Sequence, residues 1–124
     1  MSTTRRHVDL RDHATAETRA LLEGQRRRRV DEIVQLEVHL YDMRAAMARA
    51  SADGALVDAE LLENRLTTAR RALGEIDEAL ERLADGSYGC CGDCGGPIAP
   101  ERLEVLPEAR LCTPCKAASG SLRR

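Results

Sequence analysis

Five cysteines are the only residues in this chain whose type and spacing combine into recognisable chemistry, and all five fall between Cys90 and Cys115. Four of them form two C-x-x-C pairs, Cys91 with Cys94 and Cys112 with Cys115, separated by the 17 residues 95–111. Each pair turns two sulfurs inward from a tight knuckle, and the intervening segment is long enough for a short hairpin that closes a tetrahedron around one Zn²⁺. Gly92 and Gly95 stand where knuckle backbone is expected to need positive φ. Four thiolates fill the coordination sphere and leave no position for water or substrate, so the expected metal is structural and not a Lewis acid. Paired disulfides are the alternative. The start, MSTTRRHVDLRD, has no apolar signal-peptide core, so the expected location is cytoplasmic, where thiols stay reduced. Cys90 reads as a spare thiol beside a ligand.

The module that holds these thiols differs sharply from what precedes it. All four prolines and all five cysteines lie after Tyr88, and the chain has no Phe, no Trp and only two Tyr. With 124 residues and so few aromatics, metal ligation and helix packing must substitute for a thick core. The boundary is read at Asp85-Gly86. Residues 1–14 are polar and predict a flexible tail; residues 15–85 predict a helical hairpin; residues 86–118 predict the metal module with a short helix after Cys112; residues 119–124 predict a second tail.

Within 15–85 the seams are regular. Ile33, Leu36, Leu40, Met43, Met47 and Ala50 alternate in steps of three and four, as do Leu62, Leu66, Ala69, Leu73, Ile76, Leu80 and Leu83. Thr15 is the expected N-cap of the first helix and Gly24 its weak point. SADGALVD predicts the interruption, with Gly54 as a left-handed C-terminal residue, Asp58 as the N-cap of a second helix over about Ala59–Ala84, and Val57 with Leu62 as a hydrophobic staple. The short connection favours an antiparallel coiled-coil hairpin in which Met47 faces Leu62, Met43 faces Leu66, Leu40 faces Ala69, Leu36 faces Leu73 and Ile33 faces Ile76. The fold class is therefore mainly α, a long antiparallel hairpin with a small four-cysteine zinc module and a short C-terminal helix. A second helix of that length makes a rod of ~40 Å, longer than compactness requires.

Charge is divided along the chain. Residues 1–30 carry eight Arg against four acids, residues 31–88 six Arg against 13 acids, and residues 89–124 five basic against four acidic residues, giving +4, −7 and +1 and a net −2. Four thiolates on one Zn²⁺ make the last segment more negative still, so neither it nor the acidic hairpin offers a groove for phosphates, and no direct sequence-specific nucleic-acid binding is expected. The Arg26–Arg29 run spreads around every face of a helix and reads as solvated. No run suits a membrane span or a basic membrane-surface helix. There are no paired catalytic carboxylates, no Ser-His arrangement and no phosphate-cradling glycine loop, so an enzyme is not expected. A protein partner is.

The finger resembles the DksA/TraR family, whose pattern Y-G-x-C-x-x-C-G-x-x-I-x-x-x-R-L-x-x-x-P-x-x-x-x-C-x-x-C is matched at Tyr88, Gly89, Cys91, Cys94, Gly95, Ile98, Arg102, Leu103, Pro107, Cys112 and Cys115. This resemblance implies a non-enzymatic regulator of transcription initiation. Its hairpin is expected to enter the secondary channel of bacterial RNA polymerase and present acidic tip residues near the active site. The family's tip motif, D-x-x-D-x-A, corresponds to Ala50–Ala55, so Asp53 and Ala55 carry over while Ala50 replaces the first Asp. Asp58, near in sequence, is a further acidic candidate. Family members respond to the alarmone ppGpp, but no nucleotide site carries over by matching residues. A monomer is expected. The alternatives are an oligomeric coiled coil, which would bury flank residues such as Val34 and Val38, and a zinc-ribbon nucleic-acid or adaptor module.

Overall fold

The computed structural model describes the backbone of residues 2–49 and 53–122, and the side chains of 15–49 and 57–119. Among the described residues, four helices occur in the order α1 (Ser2–Arg49), α2 (Asp53–Asp85), α3 (Pro100–Val105) and α4 (Thr113–Leu122). The mainly α class and the short helix after Cys112 are as expected. Two compact units divide the chain, one of residues 1–24 with 75–124 and the other of 25–74.

In the 25–74 unit, segments of α1 and α2 pack through the predicted seams. Ile33, Leu36, Leu40, Ala59, Leu62, Leu66 and Ala69 form one buried cluster, with Met43, Met47 and Leu73 packed on it. Two ion pairs cross between the helices, Arg44 with Glu63 and Arg70 with Glu37. Arg44 lies seven residues after Glu37, and Glu63 lies seven before Arg70. One heptad forward on α1 is thus one heptad backward on α2, which makes the pairing antiparallel. The hydroxyls of Thr67 and Thr68 donate to the carbonyls of Glu63 and Asn64 one turn back, sharing acceptors of the helix's own hydrogen-bond ladder.

In the other unit, Leu22, Ile76, Ala79 and Leu83 form a second cluster, with Leu80 and Tyr88 against it. Ile76, expected opposite Ile33, belongs here with Leu22. Alanine at position 79 is fully buried, which lets the neighbouring backbone approach closely.

Three element boundaries differ from expectation, one of them at the end of α4, which runs on to Leu122 where a tail was expected from residue 119. Helix α1 starts at Ser2 and not at Thr15, so the segment expected as a tail is helical from Ser2 onward. Nothing in 2–14 is Gly or Pro, and that lack of a breaker outweighs the weak cap signal at Thr15. Helix α2 starts at Asp53 and not near Ala59. Gly54 is therefore inside its first turn and does not end α1. Asp58 likewise lies within the helix and is not its N-cap, which also removes the basis for a Val57–Leu62 staple.

Helix α2 ends at Asp85, and Gly86 turns the chain away from it. Gly86 takes φ of 85°, and the N–H groups of Ser87 and Tyr88 both donate to the Arg82 carbonyl, at 3.0 and 3.2 Å. Asp85 Oδ1 accepts from the Ser87 N–H at 2.9 Å and from its hydroxyl at 2.6 Å. Those bonds, the hydroxyl first, favour the charged form and hold the Asp85 carboxyl below its ordinary value.

Candidate metal centre

The segment after Gly86 is short of apolar residues, and its backbone hydrogen bonds are what shape it. Gly89 at φ 87° turns the chain, and its carbonyl accepts from Ile98 N–H at 2.8 Å. Cys90 and Pro97 form an isolated antiparallel bridge, the vestige of the expected hairpin. The knuckle then closes on itself. Cys91 N–H donates to Gly96 O at 2.7 Å, and Gly95 N–H donates back to Cys91 O at 3.0 Å, with Gly95 at φ 73°. The glycines with positive φ here are Gly86, Gly89 and Gly95; Gly92, expected among them, is not. Its N–H instead donates to Arg110 O at 2.9 Å, tying the first knuckle to the stretch of chain that leads into the second.

The second knuckle is held by side chains. Arg102, on α3, donates through Nε to Leu111 O at 3.2 Å, one residue before Cys112. The Tyr88 hydroxyl donates to Pro107 O at 2.8 Å, and Arg82 Nη2 reaches Glu108 O at 3.4 Å. Burial pushes the Tyr88 phenol above its ordinary value, which keeps it a neutral donor. Lys116 N–H donates to Cys112 O at 2.9 Å, starting α4 directly from the ligand loop. Cys91, Ile98 and Leu111 form the buried cluster beneath, with Leu103, Cys112 and Cys115 packed on it.

These contacts bring Cys91, Cys94, Cys112 and Cys115 together, with all four sulfurs within 4.8 Å of one another. Zn–S bonds of ~2.3 Å at tetrahedral angles require sulfur–sulfur separations of ~3.8 Å. The Cys94 and Cys112 sulfurs are 3.8 Å apart. A disulfide needs ~2.0 Å, and all five cysteines are free thiols. Cys94 Sγ also accepts the Gly96 N–H at 3.4 Å, a bond suited to a thiolate. The backbone N–H groups of Cys94 and Cys112 pull the Cys91 thiol down to about 6. The sulfur of Cys112, followed by that of Cys91, pushes Cys115 far up. Without a cation the four sulfurs cannot all ionise, and a divalent ion relieves that conflict. The donor set fits one structural zinc, and its bound role is to cross-link the two knuckles. Cys90 is exposed and stands outside the cluster.

Sequence reasoning picked the four cysteines that the fold brings together but missed Arg82, because a hydrogen bond to a carbonyl 26 residues away leaves no local pattern. Of the proposed hairpin tip, Ala50, Ser51 and Ala52 lie outside the described residues. Asp53 and Ala55 lie in the first turn of α2 with side chains outside those described; Asp58 follows on the same helix and is exposed. Among the described residues no helix is long and apolar enough to cross a membrane.

A helical chain ending in a closed four-thiolate knuckle pair is a C4-type zinc-finger protein. Residues 86–119 match the prokaryotic dksA/traR C4-type zinc finger. The RNA polymerase-binding transcription factor DksA of Escherichia coli K12 is 34% identical over 104 residues, covering 82% of this chain and 68% of that protein. An uncharacterized protein of Aquifex aeolicus is 43% identical over 56 residues, but the match spans only 45% of this chain and 39% of the relative. The structure of transcription factor DksA2 from Pseudomonas aeruginosa superposes with a TM-score of 0.78 at 32% identity, covering 89% of this chain and 85% of that one. The chain belongs to the DksA/TraR family.

Proposed function

We propose that this protein is a transcription regulator that binds bacterial RNA polymerase through its secondary channel. The helical hairpin enters the channel and brings Asp53, with Ala55 and Asp58 behind it, near the active site, where a carboxylate acts on the charged surroundings of the catalytic Mg²⁺. The zinc finger keeps its end of the chain folded for docking and performs no chemistry itself. The observation that carries this reading is the 34% identity to a protein named for binding RNA polymerase, over 82% of this chain. The antiparallel seam and the closed four-cysteine set support it, because together they retain the rigid parts such an action needs.

The test is co-purification of the zinc-loaded chain with RNA polymerase, followed by transcription in vitro from several promoters. Retention on polymerase with a promoter-dependent change in initiation is expected. Absence of both binding and effect would refute the reading.

A further inference from the structure

Helix α1 carries a second apolar seam that its own hairpin does not use. Val34, Val38, Tyr41, Ala45 and Ala48 alternate in steps of four and three on the outward side of the helix, away from Ile33, Leu36 and Leu40. Val34, Val38 and Tyr41 are 52%, 56% and 75% exposed. Single exposed apolar residues are ordinary, but five in heptad spacing on one helix face form a packing surface.

We infer that this seam is a self-association surface, and that a second copy of the chain packs on it antiparallel about a twofold axis between Val38 and Tyr41. Two features of the seam select this occupant. First, its sizes are self-complementary. In that register Val38 faces the second copy's Tyr41 and Val34 faces the second copy's Ala45, so larger side chains meet smaller ones twice by symmetry. Second, its flanks are complementary in charge. The same register sets Glu37 opposite the second copy's Arg44, and Arg44 opposite the second copy's Glu37, at the flanking positions where coiled coils choose partner and orientation. Within one chain Glu37 already holds Arg70, and Arg44 holds Glu63. The association therefore builds a row of alternating sign, Arg70, Glu37, then the second copy's Arg44 and Glu63, occurring twice. Asp42 meets the second copy's Gln35 on the other flank.

The contact is weak by construction. The seam covers about two heptads, fewer than the three or four of a self-sufficient coiled coil. Arg28 meets the second copy's Arg49 at the rim, a like-charge pair. A reversible dimer at the small end of specific interfaces, below about 1,200 Å² buried, is the consequence.

Sedimentation equilibrium of the zinc-loaded full chain over about 10 μM to 1 mM tests it, since this range spans weak association. The mass should rise from that of one 13.6 kDa chain to that of two. Val38→Glu, on an exposed position, should keep its helicity by circular dichroism and remain a single chain throughout. Glu37→Arg should weaken association about tenfold through like-charge juxtaposition. Adding Arg44→Glu should restore it to near the wild-type constant, although both in-chain ion pairs are then broken; only an intermolecular pairing predicts that rescue. A wild-type mass of one chain at every concentration overturns the inference and leaves the seam to a different protein. Masses beyond two chains, undiminished association of Val38→Glu, or a double variant as weak as the single one overturn it equally. None of these readings involves polymerase, so their failure is separable from failure of the proposed function.

Discussion

Arg70 Nη2 donates to Glu37 Oε2 at 3.1 Å, across a gap of 33 residues in sequence. Both side chains are about half exposed, so the pair itself adds little; its value is that it fixes register together with Arg44–Glu63. A double-mutant cycle on Glu37→Ala and Arg70→Ala should therefore give a coupling of ~0.2–1 kcal/mol. A coupling indistinguishable from zero would mean that the pairing is not populated in solution.

The seam, by contrast, should dominate stability. Leu36→Ala removes a buried side chain from the helix–helix cluster and should cost ~2–4 kcal/mol in chemical denaturation. Arg27→Ala, on the exposed surface of α1, should cost under ~0.5 kcal/mol. Similar shifts for the two would contradict the packing.

Zinc content discriminates among the cysteines. Cys112→Ser should lose bound metal, while Cys90→Ser should keep one zinc per chain by elemental analysis. Equal loss in both variants would make Cys90 a ligand in place of Cys91. Acidification should release the ion steeply, because each thiolate takes up a proton as it leaves.

The α2 terminus makes a prediction with a definite sign. Hydrogen bonds from Ser87 to its charged form hold the Asp85 carboxyl below its ordinary value in the folded chain. Its contribution to stability is therefore present in full above the unfolded value, and it is lost as pH falls through the folded one. Asp85→Asn should destabilise the protein at pH 7, and the difference from wild type should shrink in acid below about 4. Carboxyl chemical shifts should show Ser87→Ala raising the Asp85 value; an unchanged titration would show that the capping bonds do not persist in water.

At the proposed tip, binding and effect should separate. Asp53→Asn should retain polymerase affinity but alter promoter response, as judged by transcription in vitro beside Asp58→Asn. Loss of effect in Asp58→Asn alone, with helicity intact, would move the acidic role to that residue.

The thiol site was readable because every ligand sits in a three-residue spacing that geometry demands, and the seams because packing of paired helices repeats every seven residues. Boundaries were less so. Cap residues at Thr15 and Asp58 suggest starts, but a cap contributes ~1 kcal/mol; no Gly or Pro interrupts 2–14, and between Asp53 and Asp58 the one interruption is Gly54, whose cost is as small. Gly92 and Gly89 could not be told apart by type; the difference lies in whether the N–H must reach Arg110 O, a contact made 18 residues away. Arg82 was invisible for the same reason, since it acts through the backbone of a distant loop.

Tyr41 and Tyr88, the only aromatic residues of the sequence, fall one in each compact unit, the first exposed beside the α1–α2 groove and the second with its hydroxyl bonded to Pro107 O. With no tryptophan to absorb their emission, each is an intrinsic fluorophore for its own unit. In Tyr41→Phe the remaining emission reports on the unit of residues 1–24 and 75–124, and in Tyr88→Phe on the unit of residues 25–74. Melting the two halves can thus be followed separately in one cuvette, without any attached dye.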